Sequence, residues 1–368
     1  MRLARLRLRD FRSYERAEVE LGEGLTVVSG PNGAGKTNLL EAAYFGLTAR
    51  SPRTSNEREL VRRGASVTRV EADVEGGEEP HALEVAFAPG EPKRIRVDGA
   101  AVERAPQEAR PAVVVFLPDR LELVKGAPSL RRGHLDQLVA ALWPARAATR
   151  AAYSRALAQR NALVARIRAG RASPEGLDAW DAELARRGEE LMADRREATD
   201  ALAPSFEGMA FELGLPEPAR LAYRPRSQAE DAEELAAELL ERRSADLERG
   251  FTAHGPHRDD VSLSHGGVLL RSYGSQGQQR TALLALLFAE RELLAERRGS
   301  VPLVLLDDVM SELDEARRER LAERLRAGGQ AVLTATDPGH VPGAGDQQVT
   351  RLQVAPGSVR SPGAEAAA

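Results

Sequence analysis

The sequence predicts an α/β fold interrupted by a helical lobe, and three observations carry that expectation. A short β-rich run, Leu25-Thr26-Val27-Val28-Ser29, leads through a glycine loop into an apolar-periodic helix, Asn38 to Gly46. Far downstream, the apolar run from Val301 to Leu306 ends in two carboxylates, Asp307 and Asp308. Between them, from about Pro128 to Glu248, alanine, leucine, arginine and glutamate recur with helical periodicity, broken near Gly170–Pro174 and Leu215–Pro218.

The glycine loop is Gly30-Pro31-Asn32-Gly33-Ala34-Gly35-Lys36-Thr37, which fits the phosphate-loop pattern G-x-x-x-x-G-K-[ST] at every fixed position. Strand, loop and helix follow in the required order. Glycines let backbone N–H groups converge on phosphate oxygens, and the helix N-terminus adds partial positive charge. Lys36 is then placed to reach the β- and γ-phosphates, and Thr37 to offer its hydroxyl to Mg²⁺. Only Lys36, Lys93 and Lys125 are lysines, among 52 basic side chains, so a lysine at this position is not drawn from a lysine-rich background.

At 368 residues the chain can form one large or two ordinary domains. A net charge of −4 argues against a uniformly basic coat and leaves room for a local arginine patch. The absence of cysteine excludes disulfides, thiolate-held clusters and cysteine-based zinc sites. No run reaches signal-peptide character or the roughly 20 apolar residues of a membrane span, so a cytoplasmic protein is expected.

Residues 1–29 read as a hairpin entering a strand, with Arg9–Tyr14 at its turn. Short alternating runs at Thr68–Val74, Ala82–Ala88, Arg94–Val97 and Ala112–Leu117 suggest a small antiparallel sheet. Residues 1–127 are thus read as the N-terminal part of an ATPase lobe and 128–250 as a helical lobe. Its longest helices, at about 40 residues or roughly 60 Å each, would form a short antiparallel stub. Residues 251–355 return to α/β character, with strands near 261–264, 301–306 and 330–334 and helices at 277–297 and 315–327. The tail 356–368, rich in Gly, Ser, Pro and Ala, is expected to be disordered.

Asp307, ending a buried strand opposite a phosphate loop, suits a magnesium site. Asp308, facing the other way, could polarise an attacking water as general base. Ser275 and Gly277, in Tyr273–Arg280 ahead of a long apolar helix, form either a second anion-binding device or a helix cap. Two such devices with one magnesium strand make sense if the second serves another subunit's nucleotide. Arg50, Arg53, Arg58, Arg62 and Arg63 could neutralise DNA phosphates or simply form a solvated face. No aromatics interleave with them, so stacking on single strands is not indicated. His254 and His257 flank a Gly-Pro turn with no metal-ligand spacing, and a structural use is expected.

Taken in order, the phosphate loop, the serine-glycine turn, the acidic strand and Ser311-Glu312-Leu313-Asp314 resemble the ATP-binding cassette family. The match is closest to the SMC and Rad50 heads and, within them, to bacterial recombination-mediator ATPases. The closer likeness rests on Asp10–Tyr14, Phe116–Asp119, Leu123–Pro128 with Arg131 and Arg132, Gly255–Asp260 and Leu305–Asp314. This resemblance implies a Rad50-like ATP-binding cassette head with an inserted all-helical lobe. It implies ATP and Mg²⁺ as cofactors and an ATP-dependent homodimer in which Ser275 and Gly277 contact the partner's γ-phosphate. It places Arg12 and Ser13 near the phosphates. DNA, as a duplex or a duplex/single-strand junction, and recombinase-loading mediator proteins are the implied partners. Asp308 stands where most cassette ATPases carry Glu, no histidine falls near Thr336, and no glutamine lies around 113–117. Slow hydrolysis follows, as in a timed clamp; a transporter motor would carry the missing residues. A nucleotide-gated DNA-binding module with negligible turnover is the alternative.

Overall fold

Alternation of aliphatic and charged residues gives β1 (Arg2–Phe11) and β2 (Tyr14–Glu20) one dry and one wet face, and they pair antiparallel around Arg12-Ser13. The computed structural model describes residues 1–361. Next come β3 (Leu25–Ser29), buried on both faces, and α1 (Lys36–Thr48). The alternating strands β4 (Thr68–Glu75), β5 (His81–Phe87), β6 (Arg94–Val97) and β7 (Ala100–Val102) complete an antiparallel sheet of order β2-β1-β4-β5-β6-β7. The following strand, β8 (Val113–Phe116), corrects the expectation for Ala112–Leu117. It joins a second, mostly parallel sheet instead of the antiparallel one. Its run is apolar without alternation, which suits a strand covered on both faces.

The chain then enters α2 (Glu122–Lys125), α3 (Pro128–Leu142), α4 (Thr149–Arg168) and α5 (Leu177–Glu212). The two long helices are unequal. α4 has 20 residues and α5 has 36, or roughly 30 and 54 Å, so only one approaches the expected length. Between Leu215–Pro218 and α6 (Ala232–Glu241) lies a strand not anticipated in the helical stretch, β9 (Ala219–Arg224). α7 (Arg243–Arg249) precedes β10 (Asp260–His265) and β11 (Val268–Leu269), which form a three-stranded sheet with β9 in the order β11-β10-β9. β9 escaped notice because its partner β10 lies some 40 positions away (Ala222↔Ser262), beyond any local signal.

After α8 (Leu270–Tyr273) and α9 (Gln276–Arg298) come β12 (Leu303–Leu306), α10 (Glu315–Arg326), β13 (Ala331–Ala335), β14 (Thr350–Ala355) and β15 (Ser358–Arg360). The second sheet has the order β15-β14-β3-β13-β12-β8, with β14, β3, β13, β12 and β8 parallel. β15 corrects part of the expected tail: Gly357 at φ 74° turns the chain back, and Val359 pairs with Val354. Residues 362–368, the rest of that tail, lie outside the described residues.

Contacts divide the chain into two units. One holds Met1–Arg120, Glu212–Gly214 and the chain from Leu294; the other holds Leu121–Phe211 and Leu215–Leu293. In the first, α1 packs against β1, β4 and β5 on one side and β12 and β13 on the other. Phe11, Phe45, Leu40, Val70 and Leu305 lie in its continuous core. Buried Gln330 ties the two sheets together: its amide accepts from Leu3 N at 2.8 Å and donates to Leu3 O at 2.7 Å and Gly22 O at 2.8 Å. In the second unit, Tyr153, Leu184, Leu191 and Leu235 form a separate core. Among the described residues, no helix is long and apolar enough to cross a membrane.

Candidate nucleotide site

β3 and β12 flank β13, and all three are parallel, so the loop after β3 and the acidic end of β12 emerge together at the carboxyl ends of these strands. Gly30, Gly33 and Gly35 all adopt positive φ, at 155°, 78° and 115°. At Gly35 the constraint is also steric, because a Cβ would stand 2.9 Å from the Tyr14 hydroxyl and 3.0 Å from Ser13 Oγ. Tyr14 reinforces the turn by donating to Gly35 O at 3.0 Å. Pro31, Asn32 and Gly33 are exposed at the loop tip, while Ala34, Gly35 and Lys36 are buried. Lys36 Nζ donates to Gly30 O (2.8 Å) and Pro31 O (3.1 Å), which folds the ammonium over the loop mouth.

Thr37 Oγ1 donates to Asp307 Oδ2 at 2.8 Å, and Thr334 Oγ1 donates to Asp307 Oδ1 at 2.7 Å. Both oxygens of this nearly buried carboxylate are thus oriented. A hydroxyl and a carboxylate side by side at the mouth of a phosphate loop are the hard oxygen donors that Mg²⁺ takes, so the residues fit that ion. Thr334 was missed in the sequence. It follows three apolar residues of a strand, and a hydroxyl at such a strand end was the available signal.

Asp308 sits beside this cluster with φ 47°, in the left-handed region that side chains other than glycine rarely occupy. Its N–H donates to Thr334 Oγ1 at 2.9 Å, and Ser311 Oγ donates to its carbonyl at 2.9 Å. Burial holds the Asp308 carboxyl above the usual carboxylate range. The charges of Asp307 and Glu312 push the same way, against the Ser311 hydroxyl and the Lys36 ammonium. Asp314 caps α10 by accepting from Arg317 N at 2.9 Å.

The Arg12-Ser13 turn lies against α1. Ser13 Oγ accepts from Asn38 Nδ2 at 2.9 Å. Arg12, itself at φ 51°, makes a two-pronged ion pair with Glu41, at 2.9 and 2.8 Å. Glu41 is fully buried and also accepts from Ser51 Oγ (2.6 Å) and Arg53 Nη1 (3.0 Å). The sequence marked this residue only as a charge within an apolar run, Leu39-Leu40-Glu41-Ala42-Ala43. Of the arginines read as DNA contacts, Arg53 is engaged by Glu41, and Arg62 by Asp10 at 2.7 Å. Arg58 and Arg63 are exposed and have no ion pair among the described residues.

In the second unit, Ser275 and Gln278 form a capping box at the start of α9. Gln278 N donates to Ser275 Oγ at 3.2 Å, and Ser275 N donates to Gln278 Oε1 at 2.8 Å. Ser275 is exposed, and because its oxygen accepts in the cap its hydroxyl proton remains available to a ligand. Gly277, half-buried, lies in the first turn of the same helix. The Gly255–Asp260 segment is held by buried polar contacts. Asp259 accepts from Tyr223 and from Arg226 N at 2.7 Å, and Arg195 bonds Pro256 O at 2.7 Å. Arg131 grips Asp260 through two bonds, at 2.7 and 3.0 Å. His257 Nε2 donates to Thr252 O at 3.0 Å, which leaves Nδ1 to accept from the Tyr153 hydroxyl at 2.7 Å. His254 pairs with Glu238.

Comparison with known proteins places this geometry. A family model described as an AAA domain matches residues 5–104. The DNA replication and repair protein RecF of Streptomyces avermitilis is 41% identical over 379 residues, covering 98% of this chain and 99% of its own. RecF of Myxococcus xanthus is 40% identical over 374 residues, covering 98% and 97%. A solved structure of the recombination mediator protein RecF-ATP in the RecFOR pathway matches with a TM-score of 0.86 at 28% identity, over 98% of this chain and 97% of that one. The SMC head bound to the C-winged helix domain of ScpA matches with a TM-score of 0.57 at 15% identity, over 98% and 96%, so the two share a fold. With an ATPase domain at its N-terminus, an SMC-head fold and full-length identity near 40%, the chain belongs to the RecF family of DNA replication and repair proteins.

Proposed function

We propose that the protein is a slow ATPase that closes as a head-to-head dimer on DNA when it binds ATP and reopens when ATP is hydrolysed. The observation that carries this reading is the joined pair Thr37–Asp307, with Asp308 held beside it. Gly30 to Lys36 cradle the phosphates through backbone N–H groups and the lysine ammonium. Thr37 and Asp307 would hold Mg²⁺, which would supply neutralisation of phosphate charge. Asp308 orients the attacking water and accepts its proton as the water oxygen bonds to the γ-phosphorus and the bond to ADP breaks. Its raised proton affinity suits a base, and its short side chain suits slow turnover.

Ser275 and Gly277 complete the partner subunit's site, the serine hydroxyl donating to the γ-phosphate. Arg12 and Ser13 support the phosphate loop through Glu41 and Asn38. The DNA is a duplex or a duplex/single-strand junction. In the cytoplasm the clamp works with RecR/RecO-type mediators to load recombinase at DNA gaps, in recombinational repair, replication restart and SOS induction. Asp308, one methylene shorter than Glu, and the absence of a histidine near Thr336 also favour a second reading, a nucleotide-gated DNA-binding module with negligible turnover, which single-turnover hydrolysis separates from the first. The direct test is light scattering with and without ATP and Mg²⁺. The expected result is a doubling of mass with ATP that Lys36→Met abolishes. Normal dimerisation by that variant, or no shift in the wild type, overturns the clamp.

A further inference from the structure

The outer face of the antiparallel sheet carries its charges in cross-strand rows. In one row Arg7 stands opposite Glu18 on β2 and Glu71 on β4, and it pairs with Glu71 at 2.9 Å and Asp73 at 2.9 Å. In the next row inward Arg5 stands opposite Glu20 and Asp73 and pairs with Glu20 at 2.8 Å. Both rows are compensated. The row nearest the Arg12-Ser13 turn is not, for Arg9 stands opposite Arg16 on one side and Arg69 on the other. The register continues through Ala86 to Arg94, so the row holds guanidinium groups on four of five successive strands.

All four arginines are exposed. Arg9 and Arg16 make no ion pair among the described residues; Arg69 reaches Glu84 only at 3.8 Å, and Arg94 pairs with Glu91 in its own turn. Like charges directly opposite one another destabilise a sheet. A row that works against the fold, beside two rows that do not, points to a ligand that supplies the missing negative charge.

We propose that this row is the surface that receives the DNA backbone, an inference that rests on the DNA-clamp reading above. Strands about 4.8 Å apart set Arg16, Arg9 and Arg69 over roughly 10 Å. That span equals about three steps of ~3.4 Å along the helix axis, so the row lies along about four successive phosphates of one strand. No aromatic interrupts the row, so it contacts phosphates and does not read bases.

The test is the salt dependence of binding to a fluorescein-labelled 30-base-pair duplex, in ATP and Mg²⁺, for the wild type and the triple variant Arg9→Gln/Arg16→Gln/Arg69→Gln. The slope of log Kobs against log salt falls by about three units in the triple variant, and its affinity at low salt falls at least about 100-fold. Thermal unfolding without DNA provides the readout that a structural role would not give. Removing the repulsion raises the Tm of the triple variant by about 2 °C, whereas Arg7→Gln in the compensated row lowers the Tm and keeps the slope. A wild-type slope in the triple variant, or a lower Tm, overturns the assignment and leaves an acidic protein face as the occupant. A wild type without salt-dependent DNA binding overturns the clamp reading itself.

Discussion

Thr37 and Asp307 stand 270 positions apart in the chain and share a hydrogen bond of 2.8 Å at the carboxyl ends of neighbouring parallel strands. The contact exists because β13 lies between β3 and β12, so the segments that follow β3 and β12 leave the sheet side by side. A ligand that needs both residues therefore reports on the closure of this sheet.

Asp307→Asn is expected to separate ATP binding from magnesium use. The amide keeps its place beside Thr37 and Thr334 but loses the charge that holds the ion. Mg²⁺-dependent hydrolysis should fall about 100-fold or more, while Mg²⁺-free binding of a fluorescent ATP analogue stays within about threefold of wild type. Equal loss of binding with and without Mg²⁺ would assign Asp307 a role in loop structure alone.

Asp308→Asn retains the neighbouring contacts, which are made by its backbone N–H and carbonyl. Loss of the base should slow single-turnover hydrolysis by about 100-fold to 10,000-fold and prolong the ATP-bound dimer in proportion. A dimer that dissociates at the wild-type rate under ATP would show that Asp308 is not the base.

Glu41 is the buried acceptor on which Arg12, Arg53 and Ser51 converge. Glu41→Gln leaves two guanidinium groups facing a neutral amide, so urea unfolding should report a loss of about 3 kcal/mol. The Arg12-Ser13 turn would also loosen beside Gly35, raising KM for ATP more than it lowers kcat. An unchanged KM would confine Glu41 to stability.

His257 couples the second unit to pH. Burial depresses its pKa to about 4, and the nearby cations Arg258 and Arg132 act in the same direction, while the bond to the Thr252 carbonyl opposes them. Its unfolded value is about 6.5, so the unfolded chain binds the proton more readily. The stability it contributes is complete above pH 6.5 and is lost progressively as pH falls toward 4, by about 3 kcal/mol in all. His257→Gln, which still donates and accepts, should flatten the wild-type slope across that window. Parallel stability–pH curves for the two proteins would refute the assignment.

The local devices were legible in the sequence because each is contiguous. The glycines of the phosphate loop, Lys36 and Thr37 are fixed by backbone conformation within eight residues, and the apolar run before Asp307 announces a buried strand. Ser275 was legible as a cap or as an anion site, and its structure shows the cap. What the sequence could not determine is which distant segments become neighbours. The pairing of β8 with β12, the strand β9 and the return of β15 depend on hydrogen bonds between segments without local marks. Thr334 beside Asp307 and Glu41 beneath Arg12 follow from the same cause. The arginine row on the outer sheet is invisible along the chain, where Arg9, Arg16 and Arg69 sit among alternating charges, and it exists only because strand register sets them opposite one another. Local conformation is written in adjacent residues; register and strand order are decided by burial of the whole core, and they set which charges meet.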